Sequence, residues 1–252
     1  MASSVAVRTW DGLHATQIAA RCAVPGAEVH DEVGSTMDHA HEAARRGVPS
    51  GWLVVADRQR VGRGRGGRAW ASESGAGVWA SIVLRDVEPA AQGVLSLRIG
   101  LALADALSPL CHAPVTLKWP NDLFVGDGKL SGILVEARWR GAMAEWLVAG
   151  VGVNVRTPAA PLSGSAVRPT TPRIDVLRAI TGAVQGAAKC VGVLRDDERA
   201  AWSARDRARG RRCLEPLTGT VEGITADGAL HVRRDDGTLA CATAGSLVLE
   251  VV

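Results

Sequence analysis

A short segment rich in arginine and glycine constrains this chain more than any other feature. Residues 58–70 read RQRVGRGRGGRAW, with five arginines and four glycines, and no acidic residue occurs from Arg58 through Ser72. Clustered like charges repel one another and cannot be buried without anionic partners. Glycine lets the backbone turn sharply and approach a ligand, at a high entropic cost of ordering. The segment is therefore expected to be mobile when empty and to close on phosphate or carboxylate, which arginine binds through paired hydrogen bonds.

Two other interpretations fit such a segment: a disordered RNA-binding stretch and a solvated loop. Runs of these kinds usually occur in tails or in long biased regions. Here the segment lies between two strand-like stretches, residues 52–56 and 78–84, and ends at an aromatic residue, Trp70. This placement favours an enclosed anion-binding loop over both alternatives.

Composition indicates a soluble globular protein. Of the 252 residues, 47% are hydrophobic and 22% are charged, and the net charge of +3 does not by itself indicate a nucleic-acid-binding protein. The N-terminus lacks the apolar stretch of a signal peptide, and the most apolar predicted helix, residues 94–110, is interrupted by Arg98 and Asp105. We therefore expect neither export nor membrane association. Five widely spaced cysteines without a CxxC pair then indicate reduced thiols in a cytoplasmic protein.

The pattern of apolar residues, caps and turns predicts an α+β fold with a mixed or antiparallel sheet flanked by helices. Helices are expected at residues 13–22, 35–46, 89–110, 174–190 and 196–208, and strands at 27–33, 52–57, 77–84, 115–119, 129–139 and 144–155. From Cys213 onward, short strands separated by two Asp-Gly turns predict a small antiparallel barrel. So small a unit rarely folds alone. The barrel is therefore expected to dock on the main domain, with the domains at residues 1–209 and 210–252.

The run KWPND, residues 118–122, follows the short strand expected at 115–119. Pro120 interrupts strand pairing, so an amine, an amide and a carboxylate are expected at the rim of the sheet, where binding groups commonly lie. A simple turn, in which Asn121 and Asp122 cap the backbone and Lys118 is solvated, explains the run equally well. On this pattern alone both interpretations stay open.

Two predicted strands carry glycine where a side chain is expected. In residues 150–155 (GVGVNV) the valines share one face, which belongs in the core, and the glycines share the other face with Asn154. In residues 129–136 (KLSGILVE) the same alternation places Gly132 beside Leu134. Glycine weakens a strand, so either a ligand lying on the sheet or a closely packed helix is expected to need the space. An apolar slot beside a cationic loop suits a ligand with an apolar body and an anionic end.

Together these motifs resemble those of biotin–protein ligases, the enzymes that attach biotin to a lysine of a carrier protein. The resemblance implies a monofunctional biotin–[acetyl-CoA-carboxylase] ligase, with a catalytic domain like that of class II aminoacyl-tRNA synthetases and an SH3-like C-terminal domain. Two positions depart from the family pattern: Met37 stands where asparagine is usual, and Gly66 where a bulkier residue is common. The matching segments are Gly34 to Thr36, Gln59, residues 62–68 with Trp70, residues 118–123, residues 129–136 and residues 150–154.

The resemblance also implies the chemistry. Biotin and ATP, with Mg²⁺, form biotinyl-5′-adenylate and pyrophosphate, and a lysine of a biotin carboxyl carrier protein domain then attacks the adenylate. Because the biotin carboxylate and the α-phosphate are both negative, cations must bring them together. The implied catalytic residues are Lys118, Arg65, Lys129 and Asp122. Asp122 orients the incoming amine or holds Mg²⁺ in this scheme.

Binding residues follow from the same resemblance. Ser35, Thr36 and Gln59 supply polar contacts for the ureido ring of biotin, and Trp70 covers the adenine. The implied biotin-binding residues are Ser35, Thr36, Met37, Gln59, Arg63, Gly64, Arg65, Lys118, Gly132, Leu134, Gly150 and Gly152. The implied ATP-binding residues are Arg65, Arg68, Trp70, Asn121, Lys129 and Asn154.

Two alternatives compete with this interpretation. A lipoate–protein ligase has a related architecture, although the arginine-rich segment and the KWPND run favour biotin. A nucleic-acid-binding module that uses the arginines is more remote. Some biotin ligases also repress transcription through an N-terminal helix-turn-helix domain. Only 34 residues precede Ser35, so we expect no such domain, no DNA binding, and a monomer or weak homodimer.

Overall fold

The computed structural model describes residues 8–158 and 164–250, and within them no helix is both long and apolar enough to cross a membrane. The helices are α1 (Ala15–Cys22), α2 (Thr36–Arg45), α3 (Pro89–Gln92), α4 (Leu95–Leu107), α5 (Arg173–Ala188) and α6 (Asp196–Arg205). The strands are β1 (Ala27–Val33), β2 (Leu53–Gln59), β3 (Gly77–Leu84), β4 (Val115–Lys118), β5 (Asp122–Val125), β6 (Gly128–Arg140), β7 (Met143–Asn154), β8 (Arg212–Glu215), β9 (Gly219–Ile224), β10 (Leu230–Arg233), β11 (Leu239–Ala242) and β12 (Val248–Leu249).

The first seven strands form the main sheet, in the order β1-β2-β3-β7-β6-β5-β4. β1 runs parallel to β2, and every other neighbouring pair is antiparallel. The mixed sheet predicted from the sequence is therefore confirmed. All eight residues of β3 are buried. A strand covered on both faces reads as a continuous apolar run instead of an alternating one, which is why β3 has the sequence GVWASIVL.

Helices cover both faces of the main sheet. The larger core contains residues of α1, α4 and α5 together with Leu53, Ile82 and Val151 of the sheet. α2 covers the opposite face, where Met37 packs in a smaller core with Trp146. Val151, Val153 and Val155 point into the larger core, as predicted, so Gly150 and Gly152 lie on the α2 face, where Val148 belongs to the smaller core.

The structure corrects two sequence predictions. The helix expected at residues 89–110 is divided into α3, α4 and a final 3₁₀ turn, Ser108–Leu110. Gly93 ends α3, because glycine weakens helices. The next residue, Val94, has φ −105° and ψ 2°, outside helical geometry. Pro120 does end β4, but Asp122 begins an unpredicted strand, β5, which pairs with both β4 and β6. The sequence of β5, DLFV, has one polar residue followed by three apolar ones, so it lacks the alternation that indicates a half-buried strand.

The remaining five strands form a second, antiparallel sheet in the order β11-β10-β9-β8-β12. This sheet docks on the main domain, as predicted. The buried indole Nε1 of Trp119 donates a 2.9 Å hydrogen bond to the carbonyl oxygen of Gly228. Arg68 Nη2 donates to Ser246 Oγ at 2.7 Å. The second of these contacts connects the arginine-rich segment to the C-terminal sheet.

Candidate active site

A cavity opens on the α2 face of the main sheet. Its walls are the first turn of α2, the segment of residues 60–70, here called the Arg/Gly loop, and strands β6 and β7. All of the predicted site residues line it except Lys118 and Asn154. The lining residues that were not predicted are Ala69, Trp79, Ala80, Ile133 and Val151. The fold thus brings together residues that lie more than a hundred positions apart in the sequence.

The Arg/Gly loop is a compact turn. Gly64 N–H donates to the carbonyl oxygen of Arg68 at 2.7 Å, and Trp70 N–H donates to that of Gly62 at 2.8 Å. Gly66 and Gly67 have φ angles of 64° and 73°, which favour glycine because a Cβ atom would clash. A Cβ on Gly62 would lie 2.4 Å from the carbonyl oxygen of Trp70. The glycines are therefore required by the turn itself, and the mobility expected of the loop stays a prediction.

One end of the cavity carries a network of uncharged polar groups. Both the backbone N–H and the hydroxyl of Thr36 donate to Gln59 Oε1, at 2.8 and 3.0 Å. The same hydroxyl lies 2.8 Å from Ser81 Oγ, and Gln59 Nε2 donates to Ser72 Oγ at 2.8 Å. Ser35 is the N-cap of α2. Sequence reasoning missed Ser81, although a lone serine in the otherwise apolar strand β3 was an available signal.

Aromatic and apolar side chains fill the space above the glycine floor. A Cβ on Gly152 would lie 2.7 Å from Trp70 Nε1, and one on Gly132 would lie 2.8 Å from Trp70 Cζ3. A Cβ on Gly150 would lie 2.5 Å from Met37 Sδ. The bare face predicted from the sequence is thus real. The neighbour of Gly150 is Met37 of α2, so a packed helix accounts for that glycine, while the neighbour of Gly132 and Gly152 is Trp70, which no strand or helix carries.

The other end of the cavity is cationic. Lys129 Nζ lies 2.8 Å from Asp122 Oδ1 and 4.9 Å from the centre of the Trp70 ring. Burial lowers the pKa of Lys118, with contributions from Arg207, Lys129 and Arg68 that oppose the effect of Asp122. Burial and the neighbouring Arg68 likewise lower the pKa of Arg65, against the effect of Asp122. Desolvated cations that also repel one another gain most from an anionic ligand.

Arg63 differs from the other loop arginines. Its guanidinium donates to Asp38 Oδ1 at 2.6 Å and to Glu136 Oε2 at 3.5 Å. It is therefore held by carboxylates of the chain itself. The sequence predicts Arg63, like Arg65 and Arg68, as a ligand of phosphate or carboxylate and does not reveal its two carboxylate partners.

The two predicted asparagines support the backbone of β6. Asn121 Nδ2 donates to the carbonyl oxygen of Ile133 at 2.7 Å, and Asn154 Nδ2 donates to that of Lys129 at 3.0 Å. Asn154 is buried and lies outside the cavity lining. Both amide groups therefore fix the strand that carries Lys129.

Asp122 is the carboxylate available for a metal ion in this cavity. The described part of the chain has one cluster of three potential metal ligands, Glu28, His30 and His39, and none of these lines the cavity. Mg²⁺ usually takes one or two protein carboxylates together with substrate phosphates and water. A single carboxylate beside a cluster of cations therefore fits Mg²⁺ that is bound together with a phosphate-bearing substrate.

The same motifs occur in known proteins. Residues 31–154 match the profile of the biotin/lipoate A/B protein ligase family, and residues 213–249 match that of the biotin protein ligase C terminal domain. The bifunctional ligase/repressor BirA of Bacillus subtilis (strain 168) is 38% identical over 127 residues, which are 50% of this chain and 39% of BirA. The chain therefore matches well under half of that relative's length.

Two further similarities cover most of the chain. A biotin protein ligase from Aquifex aeolicus, solved in complex with biotin and ATP, has a TM-score of 0.71 at 25% identity and covers 89% of this chain and 98% of its own. The biotin–[acetyl-CoA-carboxylase] ligase of Paracoccus denitrificans is 34% identical over 212 residues, which are 75% of this chain and 86% of that protein. These similarities, together with the cavity and the two sheets, show that this chain belongs to the biotin–protein ligase family.

Proposed function

We propose that the chain is an ATP-dependent biotin–protein ligase that forms AMP as a product. The main support is the cavity, which is lined by a polar network, a glycine-floored apolar surface and the cations Arg65, Arg68 and Lys129. Biotin has the matching chemistry: a ureido ring, an apolar bicyclic body and chain, and a carboxylate.

The ureido ring is assigned to the polar end of the cavity. A ureido group needs both hydrogen-bond donors and acceptors, and the hydroxyls of Ser35, Thr36 and Ser81 rotate to provide either. Gln59 adds a donor and an acceptor on one side chain, and its hydrogen bonds to Thr36 and Ser72 fix its orientation. The apolar body of biotin is assigned to the surface formed by Gly132, Leu134, Gly150 and Gly152, with Met37 and Trp70 beside it.

The first half-reaction is assigned to the cationic end. A carboxylate oxygen of biotin attacks the α-phosphorus of ATP, and the bond between that phosphorus and the leaving pyrophosphate breaks. Lys118, Arg65 and Lys129 neutralise the charge that accumulates on the phosphoryl oxygens, and their burial makes each interaction stronger than it would be in water. Asp122 would hold Mg²⁺, which would supply further positive charge to the phosphates. Arg68, Trp70, Asn121 and Asn154 remain candidates for nucleotide contacts.

In the second half-reaction the carrier lysine amine attacks the acyl carbon of biotinyl-5′-adenylate, and the bond from that carbon to the phosphate oxygen breaks, releasing AMP. Orienting the incoming amine is the alternative role for Asp122. A mixed anhydride is readily hydrolysed, so the Arg/Gly loop has to exclude water until the acceptor arrives.

We also propose that the carrier is the biotin carboxyl carrier domain of a biotin-dependent carboxylase, because the Paracoccus denitrificans protein is named as a ligase of acetyl-CoA carboxylase. Residues 1–209 are proposed as the catalytic domain and 210–252 as an SH3-like domain. A cytoplasmic location is supported by the five cysteines, all of which are free thiols in the structure.

A single assay tests this function. The chain is incubated with ATP, Mg²⁺, labelled biotin and a purified carrier domain, and label on the carrier is measured. We expect label on the wild-type carrier domain and none on a carrier whose acceptor lysine is replaced by arginine. Labelled lipoate run in parallel separates the nearest alternative, because transfer of lipoate in preference to biotin would overturn the proposal.

A further inference from the structure

A chain of hydrogen bonds connects the Arg/Gly loop to the body of the protein. Arg63 donates to Glu136 Oε2, and His41 Nε2 lies 3.0 Å from the same oxygen. Trp146 Nε1 lies 3.0 Å from His41 Nδ1. Arg63 also donates to Asp38, one turn before His41 on α2. Through these contacts one loop side chain connects to α2, β6 and β7.

The chemistry of Trp146 fixes the direction of this chain of hydrogen bonds. An indole N–H can only donate, so His41 Nδ1 must be the acceptor. In neutral His41 the proton is then on Nε2, which donates to Glu136. The hydrogen bond from His41, together with the charge of Arg63, lowers the pKa of Glu136 against the opposing effect of burial. Glu136 is thus an ionised acceptor held from one side by β7 and α2 and from the other by the loop.

The other contacts of the Arg/Gly loop do not replace this one. The hydrogen bonds of Arg60 N–H to Val33 and of Val61 N–H to Gly34 lie at the start of the loop. The bonds between Gly64 and Arg68 and between Trp70 and Gly62 hold the loop to itself. Arg68 reaches the C-terminal sheet at Ser246. Among the described residues, Arg63 is therefore the loop side chain that forms hydrogen bonds with α2 and β6, whereas Trp70 packs on the glycines of β6 and β7.

Arg63 and Arg65 consequently have different environments. Arg63 is neutralised by two carboxylates, whereas Arg65 makes no hydrogen bond or ion pair through its guanidinium within the described residues. Arg63 is therefore paired within the described part of the chain, whereas the guanidinium of Arg65 is not.

We propose that Glu136 is a positioning residue that holds the Arg/Gly loop over the cavity through Arg63, with Asp38 as a second anchor and His41 and Trp146 fixing the orientation of Glu136. Only the effect on biotin binding depends on the function proposed above. Holding the loop is a property of the free protein.

Hydrogen exchange of backbone amides tests the anchor without any ligand. The variants are Glu136→Gln, Arg63→Gln and the double variant, and Glu145→Gln on the exposed face of β7 is the control. Arg63 and Glu136 are each about 35% exposed, so the coupling is that of a partly screened ion pair. We expect exchange at residues 60–70 to accelerate about two- to fivefold in each single variant and not at all in Glu145→Gln.

The double variant distinguishes an anchor from two separate effects. If Glu136 acts through Arg63, the double variant exchanges no faster than Arg63→Gln, which already loses both Glu136 and Asp38. Accelerations that multiply, or a loop unchanged in both single variants, would overturn the proposal. If Glu136→Gln accelerates exchange throughout β6 and β7, the substitution has disturbed the strands themselves. The result for Arg63→Gln then decides the proposal, because the side chain of Arg63 lies outside the strands.

The dissociation constant of free biotin, measured by calorimetry, gives the functional consequence. We expect it to rise about two- to fivefold in Glu136→Gln and to stay at the wild-type value in Glu145→Gln. If wild-type protein fails to label a carrier, the proposed function fails, yet the exchange result still confirms or overturns the anchor. Loop exchange that accelerates while biotin affinity stays unchanged would overturn the role of the anchor in binding.

Discussion

The indole nitrogen of Trp70 occupies the position next to Gly152 that a side chain would need, 2.7 Å from where its Cβ would stand. Real Cβ contacts are not this short, so any side chain at Gly152 forces Trp70 away from the sheet. Because Trp70 ends the Arg/Gly loop, the displacement changes both the floor and the cover of the cavity.

Gly152→Ala is therefore expected to weaken biotin binding by about tenfold. The corresponding free energy lies in the lower part of the range that overpacking usually costs. Calorimetric titration with biotin measures it. Gly186→Ala on α5 is the matched control, since no atom lies within 4 Å of its added Cβ. It should leave binding unchanged and raise the free energy of unfolding by about 0.5–1 kcal/mol. Wild-type affinity in Gly152→Ala would contradict the packing argument.

The glycines illustrate how far the sequence leads. Alternation along β7 predicts which face is bare, and the cationic loop predicts that an anion binds nearby. The identity of the group above the glycines is a different matter, because Trp70 reaches them from a loop some eighty positions away in the sequence. Periodicity within one strand carries no information about such a partner.

Arg98 shows a second limit. In the sequence it interrupts an apolar helix, but its side chain is only 2% exposed and pairs with Glu198 at 2.8 Å, while donating to carbonyl oxygens of residues 191–193. Replacing Arg98 with alanine leaves these acceptors unpaired. We expect a loss of about 3–5 kcal/mol in the free energy of unfolding, measured with urea. Arg195→Ala, which removes an exposed pair, should cost about 1 kcal/mol or less.

The same ion pair predicts an acid dependence. Burial raises the pKa of Glu198, but hydrogen bonds from Arg98 and from the N–H of Arg195 outweigh it, so the pKa lies below the usual 4.5. The ionised form is thus favoured in the folded state. The contribution of the ionised Glu198 to the free energy of unfolding is complete above pH 4.5 and is lost as the pH falls through the lower, folded-state pKa. Urea unfolding should show that the free energy of unfolding falls less steeply with decreasing pH in Glu198→Gln than in the wild type. The same pH dependence in both proteins would count against the assignment.

The long-range partners of charged residues account for most of what the sequence did not reveal. Apart from β5, the strands of the main sheet follow from local patterns, as do α2 and the C-terminal antiparallel sheet. The partners of Arg63 and Arg98 are set by packing between elements far apart in the chain, as is the position of Ser81 beside Thr36. Local patterns indicate that a buried or clustered charge needs a partner without specifying which residue provides it.

Lys118 provides the test of the proposed chemistry. We expect Lys118→Ala to reduce pyrophosphate release from biotin and ATP by about 10²- to 10³-fold, since it removes a preorganised cation from the reacting phosphate. Burial disfavours the charged amine and lowers its pKa, so its removal should not destabilise the fold. Lys189→Ala, an exposed lysine that follows α5, is the control and should retain full activity. Near-normal pyrophosphate release in Lys118→Ala would exclude this role.

Met37 tests the departure from the family pattern. Its side chain is 3% exposed, packs in the core beside Trp146 and lies over Gly150. Asparagine at this position would bury an amide among apolar groups. We therefore expect Met37→Asn to lower the free energy of unfolding by about 1–3 kcal/mol in urea. Met143→Asn, at a position 75% exposed, should change it by no more than about 0.5 kcal/mol. Equal stability of Met37→Asn and wild type would mean that this space accommodates a polar group, and that methionine is not required by the packing around it.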